Sequence, residues 1–452
     1  MTAQNTTTVT ASAGGAGSTE ATAAGNGSAL GLGLMVTGSA GISGSLANSG
    51  DISVGTTARV TADGAAGPLA TTAIANASSI GLLTAGGAGI GGDFSNSARI
   101  LSLANAAARA GGTGTAEASA YAYGIAIDAT GGIGGSISNS GFIGAAAEAT
   151  ATGSSTDARA VATGLQIAQG SVGGSISNSG TLAAVASGTD VTVVALALGT
   201  SLAGGTLSPA ESTLLATLGA PATLAGDGPV TVASGIVNSG LISANAIGTQ
   251  SASATAIRVA GGSVIGTLTN TGTIKATASG GSATAIDLAG EGGATRVFLQ
   301  DGGVIGDIVL SSHHVDTIVW SGGTFAGDVF GGGLGSLAVL AGTASSFAYS
   351  GTLESLASVT VGGEGRRWRW HSPARRSPSA PSPWQMAAVC SSPPTAPSPP
   401  PPTCRPPAAP LVSTSPPNGP PRPSPPPARA FRAPSRCRAP RASDRGPPPT
   451  IS

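Results

Sequence analysis

His313 and His314 stand side by side, with Asp316 two residues beyond. These residue types bind metals and move protons, so their placement decides what they can do. On a strand, neighbouring side chains point to opposite faces, and the two histidines then cannot share a metal ion. His314 and Asp316 share a face, yet two ligands do not make a site, and a solvated strand edge is the better reading. Gly87-Ala88-Gly89-Ile90-Gly91-Gly92 fits G-x-G-x-x-G. No strand–helix unit surrounds it, so it reads as a glycine-rich corner rather than a nucleotide loop. Gly86-Gly87-Ala88-Gly89-Ile90 opens the calcium β-roll pattern but has Gly91 where that pattern needs aspartate. Glycoside cleavage needs two carboxylates on one face, or a carboxylate beside a basic residue on a neighbouring strand. The 19 acids of residues 1–365 are scattered, mostly singly in turns. Two histidines and no cysteine in that stretch leave no Ser/His/Asp or Cys/His arrangement. The sequence therefore predicts no catalytic residue, no cofactor and no metal.

The elements that would hold any such site are repeats. Gly174-Ser175-Ile176-Ser177-Asn178-Ser179-Gly180-Thr181-Leu182 recurs as Gly135-Ser136-Ile137-Ser138-Asn139-Ser140-Gly141-Phe142-Ile143. Looser copies centre on Asn48, Asn238 and Asn270, with turn glycines Gly50, Gly240 and Gly272; the copy at Asn96 has Ala98 in place of the glycine. Each reads as short strand, tight turn, short strand. Asn tolerates left-handed backbone and bonds its own main chain, while Gly takes positive φ without steric cost. These asparagines and glycines are the expected structural turn residues. A second motif precedes the copies, as in Tyr123-Gly124-Ile125-Ala126-Ile127 and Thr163-Gly164-Leu165-Gln166-Ile167, an alternating strand with two aliphatics on one face.

No unit can bury its aliphatic face alone. Stacking the units as coils of an all-β parallel solenoid buries one aliphatic column and aligns the asparagines so that they bond along the stack. At roughly 20–25 residues per coil, residues 1–365 would form about 15 coils, a rod on the order of 70 Å long. Aromatic residues at 3% and charged residues at 9% suit such a thin fold better than a globule, whose core needs large side chains. Residues 1–28 are read as first coils, 29–294 as the Asn-Ser-Gly repeat, and 295–365 as fuller, aromatic-richer final coils. Ser208-Pro209-Ala210-Glu211 is a capping box that predicts a short helix over 209–218.

Residues 366–452 are different material. They hold 13 arginines against one acid, Asp444, and 27 of the 31 prolines, whereas residues 1–365 hold 7 Lys+Arg against 19 Asp+Glu. Proline lacks the N–H a ladder needs, so the solenoid should stop near Gly365 and a disordered Pro/Arg-rich tail follow. A shifted reading frame is the sharper explanation, since Gly and Ala codons read out of frame give Pro and Arg. Arg366-Arg367-Trp368-Arg369-Trp370-His371 is the one basic–aromatic cluster. At face value it suits anionic lipid or nucleic acid. Out of frame it does nothing selected, and no nucleic-acid partner is expected. All three cysteines lie in this tail, which leaves a cysteine-free body compatible with an extracellular setting.

The Asn-Ser-Gly units, followed by Gly306-Asp307-Ile308, Asp316-Thr317-Ile318-Val319-Trp320 and Gly322-Gly323-Thr324-Phe325-Ala326-Gly327-Asp328-Val329, resemble the passenger region of bacterial autotransporters (type V secretion) over residues 29–362. The resemblance implies a right-handed parallel β-helix exported through a C-terminal outer-membrane β-barrel, with an unidentified surface, host or extracellular partner. No signal peptide is visible, and no run of alternating strands suits the barrel expected in the intact parent. Three functions follow as expectations: a non-enzymatic, cell-surface or secreted structural or adhesin-like passenger; a truncated, non-functional fragment of one; or a β-helix enzyme acting on polysaccharide.

Overall fold

The computed structural model describes residues 2–13, 23–37, 41–64, 71–87, 89–111, 113–199, 228–340 and 348–362, with the short segments 384–385 and 388–389. They form an all-β parallel solenoid. One coil shows the plan. The short strand Ile137–Asn139 leads through a corner into an outbound strand, Phe142–Thr152, which reverses into a return strand, Ser155–Val172. A second corner then opens the next short strand, Ile176–Asn178. Ten short strands, one per coil from Leu46–Asn48 to Ser358–Gly362, stack in a single sheet. Outbound and return strands pair in parallel with their equivalents above and below.

Identical positions fall in register, so the core is built of columns. In the short sheet the column runs Leu46, Phe94, Ile137, Ile176, Ile236, Leu268, Val297, Ile318, Leu337, Val359. The outbound strands stack Ile52, Ile100, Ile143, Leu182, Ile242, Ile274, Val304 and Phe325. The return strands stack Leu82, Ile125, Leu165, Leu196, Ile257, Ile286, Ile308 and Val329. All but Leu46 and Val359 are buried. Each aliphatic taken from water contributes about 1.5–3 kcal/mol, and the parallel ladder lets every coil repeat that gain.

The coils are fewer and longer than the sequence suggests. Each asparagine copy marks one whole coil, with spacings of 48, 43, 39, 60 and 32 residues. Above them the coil shortens, as the column steps Asn270, Leu299, Trp320, Val339, Val361 show. Ten coils at the usual strand spacing rise about 45 Å, in place of 15 coils and 70 Å. The extra length lies in arms where the outbound and return strands face each other mainly through alanine, with valines such as Val60, Val191 and Val193 among them. Ala104, Ala106, Ala108 and Ala110 pack there with Ala116, Ala118, Ala120 and Ala122, all buried. The two strands approach within 8 Å at Cα, closer than the ~10 Å usual between stacked sheets. Alanine makes a long arm possible without a wide core.

Where arm meets core, the side-chain phase slips by one residue. Ala118, Ala120 and Ala122 point inward, then Ile125 and Ile127 do. Gly124 takes the slip, and a Cβ there would lie 2.5 Å from the carbonyl oxygen of Gly164 in the next coil. The glycine of the Gly-Ile-x-Ile motif thus serves close stacking. On the other side of this sheet Leu30, Ile80, Leu83, Tyr121, Tyr123 and Val161 form a second buried cluster.

The uppermost coils are filled by aromatic rings. Trp320 meets Phe325 edge-on at 6.1 Å, and Phe325 stacks on Tyr349 at 5.2 Å. The helix expected over 209–218 lies outside the described residues. So does the expected disordered tail, apart from Trp384–Gln385 and Ala388–Val389, which pair antiparallel with Thr352–Glu354 and Ala348–Tyr349.

Candidate functional site

Six asparagines form an unbroken hydrogen-bonded column at the end of the short sheet. The side-chain amide of Asn48 donates to Asn96 Oδ1 at 2.7 Å, Asn96 to Asn139 at 2.8 Å, and Asn139 to Asn178 at 2.8 Å. Asn178 donates to Asn238 at 2.8 Å and Asn238 to Asn270 at 2.7 Å. Five of the six are buried, and Asn48 at the lower end is half-buried. A buried amide without partners is costly, whereas here the Nδ2 of each of the five buried asparagines also donates to a turn carbonyl, as Asn139 does to Thr181 and Asn178 to Leu241. All bonds point the same way, so their dipoles add along the stack.

The turn glycines act differently from the expectation. Gly50, Gly141, Gly180, Gly240 and Gly272 all keep ordinary φ, and the asparagines do not enter the left-handed region. Stacking is what excludes a side chain. A Cβ on Gly180 would lie 2.1 Å from the Gly141 oxygen, one on Gly240 2.1 Å from the Gly180 oxygen, and one on Gly272 2.2 Å from the Gly240 oxygen. Gly141 meets the Ala98 oxygen at 2.0 Å in the same way, while Gly50 at the bottom meets nothing within 4 Å.

The fold also brings two carboxyls together that looked isolated in the sequence. Glu291 and Asp316 belong to successive coils, and both are buried. Asp316 accepts the Thr295 N–H on Oδ1 at 2.9 Å and the Ser311 N–H on Oδ2 at 2.8 Å. Glu291 Oε2 accepts the Thr295 hydroxyl at 2.6 Å. Burial, reinforced by the neighbouring Asp316 carboxylate, pushes the Glu291 carboxyl up to about 9. The neutral, protonated form of Glu291 is thus favoured, as expected when two carboxyls share a dry site. The signal in the sequence was weak. The local coil is 21 residues, which puts Asp316 level with Thr295. Glu291 lies four residues before Thr295, 25 from Asp316, an offset that a uniform repeat length hides.

His313 and His314 sit in the corner between Asp307–Val309 and Thr317–Trp320, not on a strand edge. His314 Nδ1 lies 3.4 Å from Ser311 Oγ. Ser311, His314 and Asp316 nevertheless do not make a nucleophilic triad. Asp316 spends both oxygens on backbone N–H groups, and Ser311 is fully buried. Among the described residues, no three His, Cys, Asp or Glu side chains are grouped to hold a metal ion. The described residues of the G-x-G-x-x-G match, Gly87 and 89–92, lie at a coil corner. Ile90 within it bridges to Ile42 and Ile133 in the coils below and above.

A groove of about 500 Å³ crosses the outer face of the outbound sheet. Its lining comes from six successive strands and includes Gln4, Thr6, Thr57, Leu103, Asn105, Glu148, Val185, Ser187 and Ile247. Leu103, Val185 and Ile247 are exposed there at 41%, 40% and 48%. Leu103 and Val185 share one row through Ala146, and Ile247 stands in the neighbouring row with Asn105, Glu148 and Ser187. The Asn105 amide donates to Glu148 Oε2 at 3.1 Å. No motif pointed to this surface, because its residues lie in the variable stretches between corners.

No protein-family model, no curated protein and no solved structure matches this chain.

Proposed function

We propose that this chain is an extended, non-enzymatic passenger of the autotransporter type, displayed at the cell surface or secreted, which binds through its outer strand faces. The observation that carries the reading is the groove over six stacked outbound strands, with exposed aliphatic side chains and, beside them, amides and hydroxyls. Such a surface suits an extended polar partner better than a small molecule, which prefers an enclosed pocket. Columns of aliphatics and asparagines supply a scaffold that needs no globular core. The resemblance of the repeats to autotransporter passengers supports export by a barrel, and with it the extracellular location.

The test is display. The full chain is placed between an export signal and a type V β-barrel in a Gram-negative host. Display is measured by protease shaving, and adherence of the cells to glycan- and matrix-coated surfaces is compared with cells carrying the barrel alone. The expected result is a surface-exposed chain that raises adherence and releases no reducing sugar from polysaccharide. Display without any adherence removes the adhesive reading. Sugar release would move the chain to the polysaccharide enzymes, a reading that the approach of Glu291 to Asp316 favours and their burial disfavours.

A further inference from the structure

Every asparagine of the column is followed by Ser or Thr, and the backbone N–H of that next residue decides the chemical fate of the amide. The N–H groups of Ser97, Ser140, Ser179, Ser239 and Thr271 donate to the main-chain oxygens of Asn48, Asn96, Asn139, Asn178 and Asn238 at 2.8–2.9 Å. Each is therefore held by the coil below. Ser49 is exposed, and among the described residues its N–H makes no hydrogen bond. Asn48 itself is half-buried and donates upward to Asn96, and among the described residues no side chain bonds to its own Oδ1.

From this asymmetry we infer that Asn48 is a site of spontaneous covalent modification, deamidation through a cyclic imide, from which the asparagines stacked above it are protected. The Ser49 backbone nitrogen gives up its proton to water or base and attacks Asn48 Cγ. A C–N bond forms, the Cγ–Nδ2 bond breaks, and ammonia leaves with the proton it needs. Water then opens the imide at either carbonyl, giving aspartate or isoaspartate at position 48. No oxidant or second substrate is required. At the five positions above, the attacking nitrogen is committed to a hydrogen bond with the coil below and the asparagine itself is buried, so reaction there must await local opening of the coil. Conversion of Asn48 removes the donor to Asn96 Oδ1, and the isoaspartate product also lengthens the main chain at the corner. The lowest coil then loosens while those above stay paired, as expected where each coil contacts only its neighbours.

The experiment ages the full chain, folded and denatured, at mildly alkaline pH and maps each asparagine by peptide mass, with isoaspartate scored by enzymatic methylation. In the folded chain Asn48 should convert at least about tenfold faster than any of the other five, because only they need an opening step. In denaturant the differences should collapse to those of local sequence. Ser49→Val, which crowds the attacking nitrogen, should slow conversion at Asn48 and leave the fold's circular dichroism unchanged. Equal rates at Asn48 and Asn139 in the folded chain would overturn the inference. So would an Asn48 that stays amide in the folded chain while it reacts freely in the denatured one.

Discussion

Asn178 and Asn238 are 60 residues apart in the chain, yet the amide of one donates to the other at 2.8 Å, as tightly as between copies 39 residues apart. Whatever a coil inserts between its corners, the column closes to the same geometry. The asparagines therefore fix the register between coils, and the arms are free to vary in length.

If the column carries stability, breaking it in the middle must cost more than trimming its end. Asn178→Ala removes the donor to Asn238 and the acceptor for Asn139 within a buried stack, and should cost about 1–3 kcal/mol. Asn48→Ala removes one bond at a half-exposed end and should cost less than about 1 kcal/mol. Denaturant unfolding of the two variants checks the order. Equal costs would mean that the aliphatic columns alone set the register.

The turn glycines give a paired test of steric against conformational demand. Gly180→Ala drives a Cβ into the Gly141 oxygen at 2.1 Å, and should destabilise by about 1–3 kcal/mol, as overpacking does. Gly50→Ala meets nothing within 4 Å at an ordinary φ and should stay within about 0.5 kcal/mol of the parent. Were both equally harmful, the demand would lie in the turn's backbone shape after all.

Glu291 predicts a pH dependence with a definite sign. Its folded carboxyl titrates near 9 and its ordinary value is 4.5. Below 4.5 both the folded and unfolded chains carry the proton. Between 4.5 and about 9 only the unfolded chain releases it, so this group's contribution falls steadily as pH rises. Above about 9 the folded chain ionises as well and the decline ends. Glu291→Gln keeps an N–H for Asp316 and an oxygen for the Thr295 hydroxyl but cannot ionise. It should raise the melting temperature at pH 8 and flatten its slope between pH 5 and 9. A variant that melts lower at pH 8 with an unchanged slope would show that Glu291 is not held protonated in the folded chain.

Much of the fold was legible because its determinants are local and repeated. Ile176-Ser177-Asn178 and Ile137-Ser138-Asn139 announce the same strand and corner, and parallel stacking follows from the inability of either to bury its isoleucine alone. Coil length was not legible, because Ala104 to Ala122 looks like featureless filler until two sheets close on it. The role of Gly180 was misread for a related reason: its crowding comes from Gly141, 39 residues earlier, and not from its own turn. The approach of Glu291 to Asp316 and the grouping of Leu103, Val185 and Ile247 on one face depend on which coil lies above which. That information resides in the register rather than in any short stretch of sequence.

The column ends in a substitution that can itself be tested. Trp320 stands two coils above Asn270 at the equivalent position, and its indole N–H donates to the Gly322 oxygen at 2.9 Å, as the Asn270 amide does to Gly272 at 3.2 Å. The tryptophan thus keeps one polar bond of the asparagine while filling the wider core against Phe325 and Tyr349. The two roles can be separated. Trp320→Phe keeps a ring but loses the donor, and should cost about 1–2 kcal/mol. Trp320→Asn keeps a donor of the right reach but empties the ring's place in the core, and should cost about 3–5 kcal/mol. Unfolding midpoints in that order would mean that the upper coils are held by packing where the lower ones are held by the amide column. The reverse order would mean that satisfying the corner carbonyl governs stability along the whole stack.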